Sequence, residues 1–275
     1  MDGTLLDQHH RINDETAAAI RRLQAETDVE FLIVTGRDFR SAHELLKAQQ
    51  LDLPIIGLNG GANYDRKGNL LHFYSISDET VQAILTYCQE RQLILTLKAP
   101  SGFYVSNYEA YRDRLATHLY KIDTGVSEDT MAQFTAHVNS LQPLAAYRSL
   151  DNPTLKLMII DPSADVLQKT REFLSQFSDI DTTSSGHDNL EITSHHAQKG
   201  LAIQSYIQEK GIEPDEVLTI GDSLNDYSML AMFKNSYAMA NGRDEVKAVA
   251  SHIAPPNSEN GVAQVIEQVI AAQRG

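Results

Sequence analysis

The chain has 275 residues, 42% of them hydrophobic and 22% charged, which is long enough for one large globular domain or two smaller ones. Its 37 acidic residues outweigh 23 basic ones, and the net charge of −14 disfavours nucleic acid and anionic membrane surfaces as partners. Any bound phosphate must therefore be held by a local cluster of positive groups. A single cysteine, Cys88, excludes an intrachain disulfide. With no bilayer-length apolar run and no signal-peptide pattern, a cytoplasmic location is expected.

Met1-Asp2-Gly3-Thr4-Leu5-Leu6 reads as a loop with nothing before it. Asn13 or Asp14 then caps a helix that carries Ala17, Ile20 and Leu23. Residues 29–34 form a buried-strand run closed by Thr35-Gly36-Arg37, and the next helix carries Phe39, Leu45 and Leu46. Arg37 in that helix's first turn opposes the helix dipole, which points to another role. Thr35, Gly36 and Arg37 suit a phosphate cradle, or a plain strand-to-helix turn. A short strand from Pro54 to Leu58 ends in Asn59-Gly60-Gly61, and a hairpin from Tyr64 to Tyr74 turns at Asp65–Asn69. Alternating strands and helices with short links are the grammar of a doubly wound α/β sheet.

The pattern changes near residue 77. A helix capped by Ser77 or Asp78 encloses Cys88 on its apolar side. Strands are expected over Leu93–Leu97, Phe103–Val105, Leu155–Ile160 and Ile180–Thr183, with helices from Ser127 to Leu141 and from Ser163 to Phe177. That is an α+β layer. Its tyrosines (Tyr104, Tyr108, Tyr111, Tyr120, Tyr147) read as structural residues rather than specificity contacts. Leu190–Thr193 reads as a strand re-entering the first domain, and His195 and His196 as loop residues without zinc spacing. The expected domains are 1–76 and 187–275 for the α/β core, and 77–186 for the inserted layer.

Lys199-Gly200 opens a helix with a cation where the dipole opposes it; a surface lysine is the plainer reading. Val217–Ile220 is a strand that stops at Gly221-Asp222-Ser223-Leu224-Asn225-Asp226, and a helix through Met229 and Phe233 follows. At a strand's carboxyl end, Asp222, Asn225 and Asp226 face a ligand crevice. Their hard oxygens suit Mg²⁺, although capping of the helix explains them as well. Asn241-Gly242 is a turn, and a last helix begins near Gly261.

Asp2-Gly3-Thr4, Thr35-Gly36-Arg37, Lys199-Gly200 and Gly221–Asp226, in that order and with about 110 residues between the second and third, resemble the haloacid dehalogenase-like phosphatases. The Cof-type branch, with an α/β cap, is the nearest match, and the resemblance covers the whole chain. It implies a doubly wound, Rossmann-like parallel-sheet core with an inserted α+β cap. The activity it implies is a Mg²⁺-dependent phosphatase working through an aspartyl-phosphate. It implies Asp2 as general acid/base, Lys199 as the cation that steadies the phosphoryl group, and Asp2, Asp222 and Asp226 as the metal set. Thr35, Gly36, Arg37, Asn59, Lys199 and Asn225 would bind phosphate or substrate. Small phosphorylated metabolites, sugar phosphates first, are the implied substrates.

The family motif is Asp-x-Asp-Gly-Thr, and this chain opens at x, Met1. The nucleophilic aspartate and its strand are therefore expected just upstream, with the chain as it stands impaired. Read at face value, the same feature suggests an inactive phosphometabolite-binding or regulatory protein. His196 stands where relatives usually have glycine. A dinucleotide-binding domain finds no Gly-x-Gly-x-x-Gly after a strand.

Overall fold

The computed structural model describes residues 1–122, 135–184 and 186–274. These form two compact units, one of residues 1–74 and 196–275, the other of residues 75–195.

In the first half of the core unit, the Asn13 side chain caps α1 (Asp14–Glu26), whose buried face is Ala17, Ala19, Ile20 and Leu23. Strand β1 is only Ile33–Val34, much shorter than the expected 29–34, because its ladder is confined to one edge: Ile33 and Val34 pair in parallel with Ile55 and Ile56 of β2 (Ile55–Gly57). Asp38, not Arg37, starts α2 (Phe39–Ala48), its carboxylate accepting from the Ser41 N–H. Arg37 thus lies before the cap and outside the helix's first turn. Strands β3 (Ala62–Tyr64) and β4 (Leu70–Phe73) make the expected hairpin, and Asp65 closes its turn by accepting from the N–H groups of Lys67 and Asn69.

The inserted unit contains α3 (Asp78–Glu90), β5 (Ile94–Ala99), β6 (Gly102–Val105), α4 (Tyr108–Ile122), β7 (Leu141–Pro143), β8 (Lys156–Ile160), α5 (Ala164–Leu174), β9 (Ile180–Thr183) and β10 (Asn189–Ser194). Its sheet runs β7-β6-β5-β8-β10-β9. Cys88 is buried in a core with Ile84, Leu95, Leu157 and Ile192. The helix expected to open at Ser127 lies outside the described residues as far as 134, and Leu141 already belongs to a strand. Tyr104, Tyr111 and Tyr147 are buried, whereas Tyr108 is exposed; the Tyr120 side chain lies outside the described residues. One expectation is corrected. Residues 190–193 do not re-enter the core unit but pair antiparallel with both β8 and β9, so this unit extends to residue 195 rather than 186. Alternation identifies a strand, but it does not say which sheet the strand joins.

The core unit resumes with α6 (Lys199–Lys210), β11 (Leu218–Gly221), α7 (Tyr227–Met232), β12 (Asn235–Met239), α8 (Asp244–Lys247), β13 (His252–Ala254) and α9 (Gly261–Gln273). Strands β11, β12 and β13 are parallel, a sheet of their own beside the sheet β1-β2-β3-β4. Helices α1 and α9 pack on one apolar cluster with Ile33 and Ile55; α6 and α7 pack on another with Ile56 and Ala238. Among the described residues no helix is long and apolar enough to cross a membrane.

Candidate active site

The candidate site residues lie in the core unit: Asp2 in the opening loop, the others after β1, β2 and β11 or at the start of α6. Thr35 is buried, and its N–H donates to the Ile56 carbonyl at 2.9 Å. Its hydroxyl accepts from the Arg37 N–H at 3.1 Å, which bends the chain out of β1. Asn59 sits in the left-handed region at φ 60°, and its N–H donates to the Thr35 carbonyl. The Asn59 amide oxygen accepts from Asn225 Nδ2 at 2.9 Å. A Cβ on Gly36 would lie 2.8 Å from that oxygen, so Gly36 leaves space that only glycine leaves. Thr35, Gly36, Asn59 and Asn225 therefore form one polar cluster.

Lys199 enters from the side. Gln198 gives α6 no side-chain cap, and Gly60, at φ 105°, lets the helix start settle against the 58–60 turn. A Cβ there would fall 2.6 Å from the Gln198 carbonyl oxygen. Gly60→Ala is accordingly expected to cost about 2–4 kcal/mol, from backbone strain plus contact, read as a lowered urea midpoint. Nζ of Lys199 donates to Asp226 Oδ1 at 2.6 Å, and both side chains are almost wholly buried, at 3% and 5% exposure. The other Asp226 oxygen accepts from the N–H groups of Asp222 and Ser223 at 2.9 and 3.0 Å. Burial opposes the Asp226 charge, but the Lys199 charge and hydrogen bond win and hold its carboxyl below the usual range.

Asp222 meets the opening loop at Gly3 and Thr4. Its carboxylate accepts from the Thr4 hydroxyl and rests against Gly3, where a Cβ would fall within 2.3 Å of Oδ2. Burial raises the Asp222 carboxyl, the Thr4 bond opposes this, and the neighbouring Asp226 charge adds to it. Asp2 itself is gripped by Arg37, Nε to Oδ2 at 2.8 Å and Nη2 to Oδ1 at 2.6 Å. Burial again opposes ionisation, yet the Arg37 hydrogen bonds and charge pull the carboxyl down to about 2. A depressed carboxyl contributes stability above its ordinary value and loses it as pH falls through the folded one. The pair's contribution is thus expected to disappear between pH 3.8 and about 2, and Arg37→Met should remove that segment of an acid-unfolding curve.

Three contributors escaped the sequence reading as site residues. Thr4 holds Asp222, the Asn241 side chain donates to the Gly3 carbonyl at 2.8 Å, and Gly242 packs against the Asp222 backbone. The Asn241-Gly242 turn was visible in the sequence, but its proximity to Gly3 depends on tertiary pairing.

The arrangement combines the carboxylates of Asp2, Asp222 and Asp226 and a buried cation with the amide and hydroxyl groups of Thr35, Asn59 and Asn225. The chain matches the haloacid dehalogenase-like hydrolase family over residues 1–266. It belongs to that family. Among similar proteins, the phosphatase YwpJ of Bacillus subtilis is 26% identical, with 98% of each chain covered. The 5-amino-6-(5-phospho-D-ribitylamino)uracil phosphatase YwtE of the same organism is 28% identical, over 99% of this chain and 97% of its own. A solved haloacid dehalogenase-like hydrolase from B. subtilis shares the fold with a TM-score of 0.76, at 22% identity over 96% of each chain. This Cof-type member of the family accordingly has the α/β core that its motif order implies.

Proposed function

We propose that this member of the family is a Mg²⁺-dependent phosphatase of small phosphorylated metabolites, sugar phosphates first. The observation that carries the reading is the buried Lys199–Asp226 pair set beside the Asp222 carboxylate. YwpJ and YwtE, both phosphatases by name, support it.

Among the described residues no three His, Cys, Asp or Glu side chains gather as a ready-made cage for any metal ion, so a cation here would rest on few protein ligands. Asp222 and Asp2 fit a hard cation that keeps most of its water, and Asp222, raised by burial and by Asp226, gains most from a positive neighbour. Asp222 and Asp2, with the Asp2 carbonyl, would hold Mg²⁺; Asp226 contributes through water or by orienting Lys199. Bound there, the ion supplies charge neutralisation for an anionic attack on an anionic phosphate.

The chain's own residues do the rest. Lys199 steadies the phosphoryl oxygens; Thr35, Gly36, Asn59 and Asn225 cradle them through N–H, hydroxyl and amide groups. Asp2 takes the general acid/base role once substrate draws Arg37 away to its own phosphate and the Asp2 carboxyl rises toward a working range. Hydrolysis of p-nitrophenyl phosphate and of a sugar phosphate panel with Mg²⁺, abolished by EDTA, is the expected result; metal-independent turnover overturns it.

One observation favours a second reading. With Asp2 paired to Arg37 and held at about 2, the site as it stands has no acid, as a phosphometabolite-binding protein would. Calorimetric binding of glucose 6-phosphate with no release of inorganic phosphate decides for that reading.

A further inference from the structure

In the sheet of residues 75–195, side chains alternate between two faces. Leu95, Leu97, Leu157, Ile159 and Ile192 enter the core that α3 and α5 cover. The opposite face is apolar at one end, where Val105 and Ile160 pack with Tyr111 of α4. At its other end Lys98 of β5 stands directly opposite Lys156 of β8, and Thr193 of β10 stands opposite Lys156 on the far side. Phe103 of β6 pairs with Lys98, whose Nζ lies 5.2 Å from the ring centroid. Like charges at opposed positions of an antiparallel pair, with Cβ atoms about 4.5–5.5 Å apart, weaken a sheet. Burial sharpens that cost, since Lys98 is half-buried and the Lys156 side chain only 16% exposed. Glu191, diagonal to Lys156 on β10, accepts from its Nζ at 2.7 Å, and Asp181, beyond Thr193 on β9, pairs with His195. The two lysines and Glu191 together keep a surplus of positive charge, in a chain whose net charge is −14.

We propose that this end of the face is a binding site for a small oxyanion, a phosphate group carried free or on a metabolite. Its several oxygens accept from both ammonium groups at once, and its charge turns their repulsion into attraction. Thr193 brings a hydroxyl on the adjoining strand, and the Phe103 ring offers an apolar wall to the carbon skeleton of an ester. Glu191 competes with the ligand for Lys156, which keeps binding reversible. The site uses no residue of the core unit and stands whether or not that unit hydrolyses phosphate esters.

The test is a titration with inorganic phosphate followed by two-dimensional amide NMR spectra, at an ionic strength held constant with NaCl. Saturable shifts are expected at residues 96–98, 156–158 and 191–193, while Gly36 and Asn59 report the core unit separately. Lys98→Gln weakens the affinity read at those strands about tenfold, and Lys98→Arg keeps most of it. Glu191→Gln acts in the opposite direction, a gain of about threefold, because it releases Lys156 from a competing carboxylate. Glucose 6-phosphate is the second probe: tighter binding than inorganic phosphate assigns the site to an ester, and equal binding assigns it to the free anion. Shifts no larger than NaCl alone produces, or an unchanged affinity in Lys98→Gln, overturn the proposal. So does a folded Glu191→Gln chain that binds phosphate more weakly, since the lysines then serve only the sheet; if that chain does not fold, the two Lys98 variants still decide.

Discussion

Lys199→Met is expected to lower the stability of the core unit by about 3–5 kcal/mol and to remove nearly all phosphatase activity. The stability loss arises on the partner. Asp226 is almost fully buried, and its charge is sustained by the Lys199 ammonium at 2.6 Å together with two backbone N–H groups. Taking away the cation leaves an uncompensated buried carboxylate, whereas replacing both partners removes the imbalance. Lys199→Met/Asp226→Asn should therefore cost much less than the single change, since one amide oxygen keeps the Asp222 and Ser223 N–H groups and the amide nitrogen faces the methionine. The pH dependence gives a second signature. In the native chain the Asp226 carboxyl is depressed, so its contribution is present above the ordinary carboxylate range and falls away on acidification. Without Lys199, burial is opposed only by the Met1 ammonium and the backbone N–H groups, and the carboxyl rises. The single variant should then regain part of its deficit as pH falls from 7 to 5, while the double variant should not. Urea unfolding of the three chains at both pH values reads this directly. Equal stability of native and single-variant chains at pH 7 would show that the pair is not buried in solution.

The sequence marks the cations of this cluster but not their partners. Lys199 and Arg37 each drew notice as cations where a helix dipole opposes them, and each does have an acidic partner, Asp226 and Asp2. The details behind that inference differ. Asp38 takes the cap of α2, so Arg37 never stands in a helical turn, and its reach to Asp2, 35 positions away, depends on tertiary structure. Nothing local in Thr4 announces its bond to a carboxylate 218 positions away. Residues 29–34 have the composition of a buried strand throughout, yet only two of them form a ladder, because strand content is a property of the neighbour as well as of the segment. Leu190–Thr193 makes the same point from the other side: its alternation is real, and its sheet is the one in residues 75–195. Where apolar period, turn residues and capping side chains agree within a few positions, as at Asn13 or Asp65, the reading and the structure coincide.

Asp222→Asn separates what the site needs for folding from what it needs for chemistry. Asp222 is the one carboxyl of the group that is pushed up: burial and the Asp226 charge outweigh the Thr4 hydrogen bond. A raised carboxyl means that the fold tolerates the neutral form better than the ionised one, so its contribution is favourable at low pH and declines as pH rises through the folded value. Asparagine is neutral at every pH and nearly the same size, and its amide oxygen still accepts from Thr4. The variant is therefore expected to be as stable as the native chain or more so at pH 7, by up to about 1 kcal/mol, with the difference vanishing at acid pH. Its response to Mg²⁺ should go the other way. A carboxylate that burial destabilises is relieved by a cation, so 5 mM Mg²⁺ should raise the native chain's thermal midpoint by several degrees and leave the variant's unmoved, with hydrolysis down by a factor on the order of 10³. The thermal readout stands apart from turnover, and it runs against the usual expectation that losing a buried side chain's charge weakens a protein. A Mg²⁺ shift of equal size in both chains would move the metal's principal ligand away from Asp222, and a variant that unfolds earlier at pH 7 would mean that Thr4 stabilises the charge more than burial opposes it.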